Sequence, residues 1–160
     1  MNSKSFHSSD QKKIDSYVIR EAKKEDLFKV IELDETNTGL SKSQYWEELL
    51  TRFGKKEEDF FFLVGEKEES FVGFIIGEIR AWEFGSPPCG WIFALGVEPD
   101  YRTLGVGTHL FDSLCKRFKD KGILKIRTML ARSDHLNMSF FRSQGMRAGP
   151  FIQLETNLVQ

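Results

Sequence analysis

The sequence predicts a single-domain α/β fold in which helices flank a mixed, mostly antiparallel central sheet. Three β-prone segments at residues 59–66, 70–83 and 91–97 follow one another without an intervening helix, which is typical of an antiparallel meander. A strand–helix–strand order over residues 91–130 then predicts parallel strands in the C-terminal half, because a parallel pair needs a crossover connection. The length of 160 residues fits one ordinary domain with a sizeable core.

The order of elements follows from apolar periodicity and from turn residues. The first 15 residues are polar and predict a flexible tail, which leaves residues 16–160 as the folded domain. Apolar side chains at helical spacing predict helices over residues 25–35, 42–53, 105–121 and 134–144. Runs of β-formers predict strands over residues 17–19, 59–66, 70–83, 91–97 and 123–130, with up to two more within residues 146–159. The glycines and prolines of residues 84–90 predict a hairpin loop.

Composition excludes several classes of function. The net charge of −1 does not favour a nucleic-acid binder that works through bulk charge. The longest apolar runs are far shorter than the ~20 residues that span a bilayer, and the polar N-terminus lacks a secretory signal. Two cysteines fit a reducing compartment, and no metal-ligand spacing occurs. We therefore expect a cytoplasmic protein with no metal site and with neither nucleic acid nor membrane as its partner.

The segment between the predicted strand at residues 91–97 and the next helix has the features of an anion site. A Pro-containing loop leads into Arg102-x-x-Gly105-x-Gly107, where the helix begins. A helix N-terminus offers N–H groups and the positive end of its dipole, and glycines let a ligand approach the backbone. A pyrophosphate fits this pattern. The third glycine of a dinucleotide fingerprint and the Lys-Ser/Thr of a P-loop are both missing.

Two motifs in this order carry a family resemblance. Val97, Pro99, Arg102, Gly105 and Gly107 occupy the slots of a strand ending in Val, then Pro, then [Q/R]-x-x-G-x-[G/A]. Later, the segment Phe-Phe-Arg-Ser-Gln-Gly-Met at 140–146 occupies an aromatic-x-x-x-Gly-Phe motif, with Met in place of the last Phe. Through these motifs, and in element order over residues 17–158, the chain resembles the GNAT family of acetyl-CoA-dependent N-acetyltransferases.

The resemblance implies where acetyl-CoA binds. The strands at residues 91–97 and 123–130 would splay apart, and the pantetheine arm would lie between them. Backbone groups of Leu95 and Val97 would bind that arm, and the N–H of Leu95 would polarise the thioester carbonyl. The implied coenzyme-binding residues are Leu95, Gly96, Val97, Arg102, Thr103, Leu104, Gly105, Val106, Gly107, Thr108, Asn137, Phe140 and Phe141.

The acid and base of the family are not at their usual positions. Many members use a Tyr as the general acid where this chain has Phe141. Tyr45 and Tyr101 are the candidates to replace it. A thiol leaving group with a pKa of roughly 8–9 needs little help from an acid, so the role could also be dispensable.

The usual positions of the general base are also occupied by residues that cannot accept a proton. Trp91 and Met129 stand where protein-acetylating members keep a base or a water-holding residue. Replacement bases depend on how the strand at 70–83 pairs with the strand at 91–97. In one register Glu78 shares the face of Trp91, and in a register shifted by one residue Glu83 does. The sequence leaves both open.

These observations predict an N-acyltransferase that moves the acetyl group of acetyl-CoA to an amine by direct attack in a ternary complex. No acidic cluster falls near the acceptor region, which favours a protein or peptide amine. The alternatives are a small-molecule amine acetyltransferase and a non-catalytic acyl-CoA-binding or sensing module. The resemblance also leaves room for a homodimer.

Overall fold

A five-stranded mixed sheet with helices around it forms the body of the protein. The structure is a computed structural model that describes residues 17–55 and 57–159, so the predicted tail at residues 1–15 lies outside the described residues. Two compact units divide the chain, a larger one that ends at Met129 and a smaller one that begins at Leu130. The predicted α/β class is confirmed. Each unit is described by itself below.

The sheet lies in the larger unit, and its spatial order matches the order of the chain. The strands are β1 (Val18–Glu21), β2 (Phe60–Lys67), β3 (Ser70–Arg80), β4 (Cys89–Val97) and β5 (Ile126–Thr128). Neighbouring strands from β1 to β4 are antiparallel, whereas β4 and β5 are parallel. The structure therefore confirms both the predicted meander and the predicted parallel pair.

Helices cover the two faces of this sheet. They are α1 (Leu27–Thr38), α2 (Ser43–Gly54) and α3 (Val106–Asp120). Trp46 of α2 is buried and packs edge-on against Phe74 of β3 on one face. On the other face, a Cβ added at Gly90 would come within 2.6 Å of the Phe118 ring of α3. Only glycine permits this close approach of β4 to the helix.

Two predicted strands are shorter than expected, and the predicted strands after α4 (His135–Ser143), the helix of the smaller unit, are absent. β3 ends at Arg80 because Trp82 and Phe84 adopt left-handed backbone angles, with φ of +63° and +48°. β5 has only three residues. Residues 147–159 pair with no other described strand, and a lone extended segment has no acceptors for its amide groups.

No helix within the described part of the chain is both long and apolar enough to cross a bilayer.

Candidate active site

β4 loses its parallel neighbour halfway along its length. It pairs with β5 over three residue pairs, from Gly90 to Ile92, and then continues alone on that side to Val97. At the point of separation, the Thr128 hydroxyl donates a 2.7 Å hydrogen bond to the Ile92 carbonyl. The edge of β4 that faces β5 is therefore unpaired with β5 beyond Ile92.

A β-bulge sets which backbone groups face this edge. The β3–β4 register shifts so that Phe93 is skipped and has no partner on β3. After the bulge, the N–H of Glu98 donates to the Val72 carbonyl on β3 at 2.9 Å. Because amide groups alternate sides along a strand, Leu95 and Val97 direct theirs away from β3. Both predicted residues thus present their amide groups at the edge that β5 has left, where an extended ligand could pair as an added strand.

The loop after β4 leads directly into the N-terminus of α3. A 3-10 turn over Pro99–Tyr101 precedes Arg102, and Gly105 occupies the N-cap position with φ +83°. The N-cap residue Gly105 makes no side-chain hydrogen bond to this helix, and the first turn of a helix has N–H groups without acceptors in the helix itself. Three predicted residues of the loop, Thr103, Leu104 and Gly105, and Thr108 of the first turn are exposed, whereas Val106 and Gly107 are buried.

The Arg102 side chain turns back from the loop. Its Nε donates to the Val97 carbonyl at 3.2 Å, and a terminal nitrogen donates to Asn37 Oδ1 at 2.6 Å. Arg102 therefore ties the loop to the end of β4 and to the last turn of α1. Sequence reasoning missed Asn37 because it lies 65 residues away along the chain and belongs to no motif.

The β3–β4 register decides between the two base candidates. Glu78 pairs directly with Trp91, so the two side chains share one face of the sheet. Glu83 does not lie on a strand; it begins an exposed 3-10 turn, because Trp82 ends β3 in a left-handed conformation. The register that would bring Glu83 beside Trp91 is therefore not the one adopted.

Two arginines hold the Glu78 carboxylate. Oε2 forms an ion pair with a terminal nitrogen of Arg52, and Oε1 accepts a hydrogen bond from Nε of Arg80, both at 2.9 Å. The Arg80 guanidinium lies 4.5 Å from the Trp91 ring centroid, and that of Arg52 lies 4.7 Å from the Phe60 ring. With one arginine on each oxygen, Glu78 is fixed in place and keeps lone pairs for a further donor.

Of the two acid candidates, Tyr45 has surroundings that shift the pKa of its hydroxyl. Burial raises the pKa of the Tyr45 hydroxyl, and the charges of Asp34 and Glu78 raise it further. Since this shift keeps the hydroxyl protonated at neutral pH, Tyr45 is available as a hydrogen-bond donor on the Glu78 side of the sheet. Tyr101 lies in the 3-10 turn before α3.

The remaining predicted residues lie in the smaller unit, on α4. The Asp134 side chain caps this helix and accepts hydrogen bonds from both the backbone N–H and the side-chain amide of Asn137. Phe140 and Phe141 are in edge-on ring contact, with centroids 5.2 Å apart, and Phe141 is buried. Asn137 therefore serves helix capping, with its amide oxygen left to accept from a ligand.

Comparison with known sequences gives one family match that spans most of the chain. The sequence model of the "Acetyltransferase (GNAT) family" matches residues 25–146. This range includes the β4 edge, the loop, α3 and α4.

Three similar proteins are all named as acetyltransferases. The L-2,4-diaminobutyric acid acetyltransferase of Nocardia farcinica is 28% identical over 87 residues, which are 54% of this chain and only 44% of that protein. The chain thus spans less than half the length of this curated relative. The glucosamine-6-phosphate N-acetyltransferase of Arabidopsis thaliana superposes with a TM-score of 0.69 at 19% identity, over 91% of this chain and all of that one. An aminoglycoside N-acetyltransferase in complex with CoA superposes with a TM-score of 0.72 at 15% identity, over 89% and 95%. These two likenesses establish the fold alone.

Proposed function

Because the chain belongs to the GNAT acetyltransferase family, we propose that it transfers the acetyl group of acetyl-CoA to the amine of a small molecule. Donor and acceptor would bind together in a ternary complex. The observation that carries the proposal is the β4 edge, where Leu95 and Val97 direct amide groups away from β3 just before the start of α3. This arrangement suits a ligand with an amide-containing arm and a pyrophosphate.

Coenzyme binding divides between the strand edge and the helix. The pantetheine amides pair with Leu95 and Val97 as an added strand, beside Gly96. The pyrophosphate lies against the loop and the first turn of α3, where the helix dipole favours negative charge. The N–H groups proposed to hold it belong to Thr103, Gly105, Val106, Gly107 and Thr108. Those of Arg102 and Leu104, which the resemblance also implied, already donate to the Pro99 and Tyr101 carbonyls. Asn137, Phe140 and Phe141 of α4 remain proposed coenzyme contacts.

The chemistry is a direct displacement. The lone pair of a neutral amine attacks the thioester carbonyl carbon, the C–S bond breaks, and its electron pair leaves on the CoA sulfur. The Leu95 N–H stabilises the charge that develops on the carbonyl oxygen. Because a thiolate with a pKa of roughly 8–9 leaves readily, Phe141 at the usual acid position does not prevent turnover. Glu78, beside Trp91, is the proposed acceptor of the amine proton.

A small-molecule acceptor has more support than the protein or peptide amine that the sequence favoured. The relatives are named as acetyltransferases of diaminobutyric acid, glucosamine 6-phosphate and aminoglycosides. All three are compact amines. A peptide amine is the alternative acceptor, and the same assay tests it.

Calorimetry and a thiol-release assay test the proposal in sequence. Acetyl-CoA and CoA are titrated into the protein, with NADH as the control ligand. We expect acetyl-CoA to bind and NADH not to bind. Release of free thiol is then followed with 2,4-diaminobutyrate, glucosamine 6-phosphate, an aminoglycoside and a lysine-containing peptide. Absence of acetyl-CoA binding overturns the proposal.

The sensing module is the second candidate, and one observation favours it. Trp91, Met129 and Phe141 are apolar at positions where relatives carry out acid–base chemistry. Acetyl-CoA binding with no thiol release across the whole panel would support this alternative. Thiol release with any amine above the rate of hydrolysis excludes it.

The proposed homodimer has its own support in the smaller unit. Five large apolar side chains between residues 151 and 159 are more than 60% exposed, which is unusual for residue types that bury well: Phe151, Ile152, Leu154, Leu158 and Val159. Light scattering over a range of protein concentrations tests for the dimer. A mass of one chain at every concentration contradicts it.

A further inference from the structure

Arg80 is held in a way that leaves its outer end available. Its Nε donates to Glu78, and the guanidinium plane lies over the Trp91 ring. Among residues 17–55 and 57–159, Nε is the one nitrogen of Arg80 that donates a hydrogen bond, and Glu78 is its one ion-pair partner. The Arg80 side chain is about one-third exposed, so its two terminal nitrogens are accessible to a ligand.

The neighbouring arginine is not available in the same way. Arg52 donates its Nε to Glu57 at 2.6 Å, and one of its terminal nitrogens forms an ion pair with Glu78 at 2.9 Å, so its charge is spread over two carboxylates. Arg80 has only the one carboxylate, which it shares with Arg52. Of the two guanidiniums that hold Glu78, Arg80 therefore presents a preorganised fork of N–H donors. A planar fork fixed by stacking and by one hydrogen bond suits a bidentate oxyanion.

The position of Arg80 relates it to the acetyl-transfer site. Trp91, which it covers, occupies a position where the family resemblance places the base. From Trp91 to Leu95 the chain advances about 13 Å or less along β4, since the bulge at Phe93 shortens the strand. The Arg80 side chain thus lies beside the position that the resemblance assigns to the base, on the side of the thioester where the acceptor is expected.

We propose that Arg80 binds a carboxylate carried by the acceptor, so that the substrates are amines of the amino-acid type. The carboxylate occupies the fork of terminal nitrogens, and the chain between carboxylate and amine reaches toward Leu95. This inference rests on the proposed function and specifies its acceptor. A phosphate on an amino sugar presents the same oxyanion chemistry, and the experiment separates the two sources.

Pairs of amines that differ only in the anionic group test this proposal. Ornithine is compared with putrescine, lysine with cadaverine, and glucosamine 6-phosphate with glucosamine. Loss of a charge-assisted hydrogen bond costs about 1.5–3 kcal/mol, so kcat/KM should be roughly 10- to 100-fold higher for the carboxylate member of a pair. Preference for the phosphate member alone assigns the fork to phosphate and overturns the carboxylate assignment. Equal use of both members of every pair overturns the proposal.

Arg80→Gln removes the fork, and Arg80→Lys retains its charge without its geometry. We expect Arg80→Gln to abolish the preference for ornithine over putrescine, chiefly through KM for ornithine, and Arg80→Lys to restore part of it. The KM for acetyl-CoA should not change. Lys29→Gln, which removes an exposed cation of α1, serves as the matched control. If Arg80→Gln lowers the melting temperature but keeps the preference, the residue only supports Trp91 and the proposal is wrong.

Binding measurements separate this proposal from the function on which it rests. Ornithine and putrescine are titrated into the protein saturated with CoA, where no transfer occurs. Preferential binding of ornithine that Arg80→Gln removes supports the Arg80 site even if no amine is acetylated. Absence of acetyl-CoA binding contradicts the acetyltransferase proposal instead. Equal binding of the two amines to the CoA complex contradicts the Arg80 site alone.

Discussion

The two edges of the sheet are built in opposite ways. At the β1 edge, antiparallel pairing with β2 runs the whole length of β1, and an ion network secures it. At the β5 edge, parallel pairing covers three residue pairs, and β4 then continues without β5. The first arrangement pairs every residue of β1 with β2 and holds the Arg20 side chain in ion pairs with Asp26 and Glu66. The second leaves backbone donors and acceptors directed to where a ligand is proposed to bind.

The β1 edge shows how a buried carboxylate is made stable. Asp26 is 8% exposed and accepts two hydrogen bonds from Arg20, at 2.7 and 2.8 Å, and one from the Lys23 N–H at 2.6 Å. Burial alone would raise the pKa of Asp26, but these donors hold it below its usual value. Arg20 also bonds Glu66 of β2 and lowers the pKa of that carboxyl. The network therefore links β1, β2 and the start of α1.

The largest effect is expected from Arg20→Met. Removing the guanidinium leaves the Asp26 charge buried without its partner, which should lower the free energy of unfolding by about 2–3 kcal/mol. Affinity for acetyl-CoA should stay the same, because the change lies at the opposite edge of the sheet. Arg117→Met removes an exposed pair with Glu21 and should cost under about 0.5 kcal/mol. Urea unfolding and calorimetry measure the two quantities. A loss of coenzyme affinity in the folded Arg20→Met variant would show that the β1 edge also contributes to coenzyme binding, contrary to this comparison.

The pH dependence of stability sharpens the same contrast. A carboxyl whose pKa is lower in the folded protein stabilises it above the unfolded pKa, near 3.9 for Asp, and this contribution is lost as pH falls through the folded pKa. The wild type should therefore lose this part of its stability below about pH 4. In Arg20→Met, burial without the arginine raises the pKa of Asp26, so acid relieves an unfavourable charge. The stability gap between the two proteins should narrow from pH 7 to pH 4; a gap that widens contradicts this role of Arg20.

The second largest effect is expected at the other edge, from Thr108→Glu. Position 108 is the third residue of α3 and is exposed. A carboxylate there favours the helix by about 0.3–1 kcal/mol through the dipole, yet it repels a pyrophosphate by about 2 kcal/mol, roughly a thirtyfold rise in Kd for acetyl-CoA. Thr108→Gln, which loses the same hydroxyl without adding charge, is the matched control. Unchanged affinity in Thr108→Glu would remove the pyrophosphate from this helix terminus.

The fold and the glycine-containing turn before α3 were predictable because their signals are local, and the coenzyme contacts assigned to that turn stay predictions. Gly105 and Arg102 lie in one short motif, and the φ of +83° at Gly105 explains why the motif needs glycine there. The meander and the helices follow from periodicity within single segments. The strands expected after α4 were not found, because a strand needs a neighbour and periodicity does not specify one.

The acceptor half depends on register, which no single segment encodes. A shift of one residue in the β3–β4 register decides whether Glu78 or Glu83 lies beside Trp91. Trp82 and Phe84 follow the end of β3 with positive φ, which their residue types rarely adopt, so the sequence contained no sign that the strand ends before Glu83. The partners of Glu78 come from α2 and from β3 itself. The contacts that orient the Arg80 guanidinium, to Glu78 and to the Trp91 ring, could therefore be recognised only in the three-dimensional structure.

The smallest effect is expected from Asn37→Ala, which tests whether the contact between α1 and the loop after β4 affects coenzyme binding at the β5 edge. Asn37 accepts a 2.6 Å hydrogen bond from Arg102, and Arg102 also donates to the Val97 carbonyl at the end of β4. Because the contact is exposed, its loss should cost about 0.5–1 kcal/mol, a two- to fivefold rise in Kd for acetyl-CoA. Thr36→Ala, one residue earlier in α1, removes a hydroxyl that bonds only the helix backbone and is the control. Calorimetry resolves this difference. Equal affinity in the two variants would mean that the loop holds its shape without α1, and that the β5 edge depends on its own backbone alone.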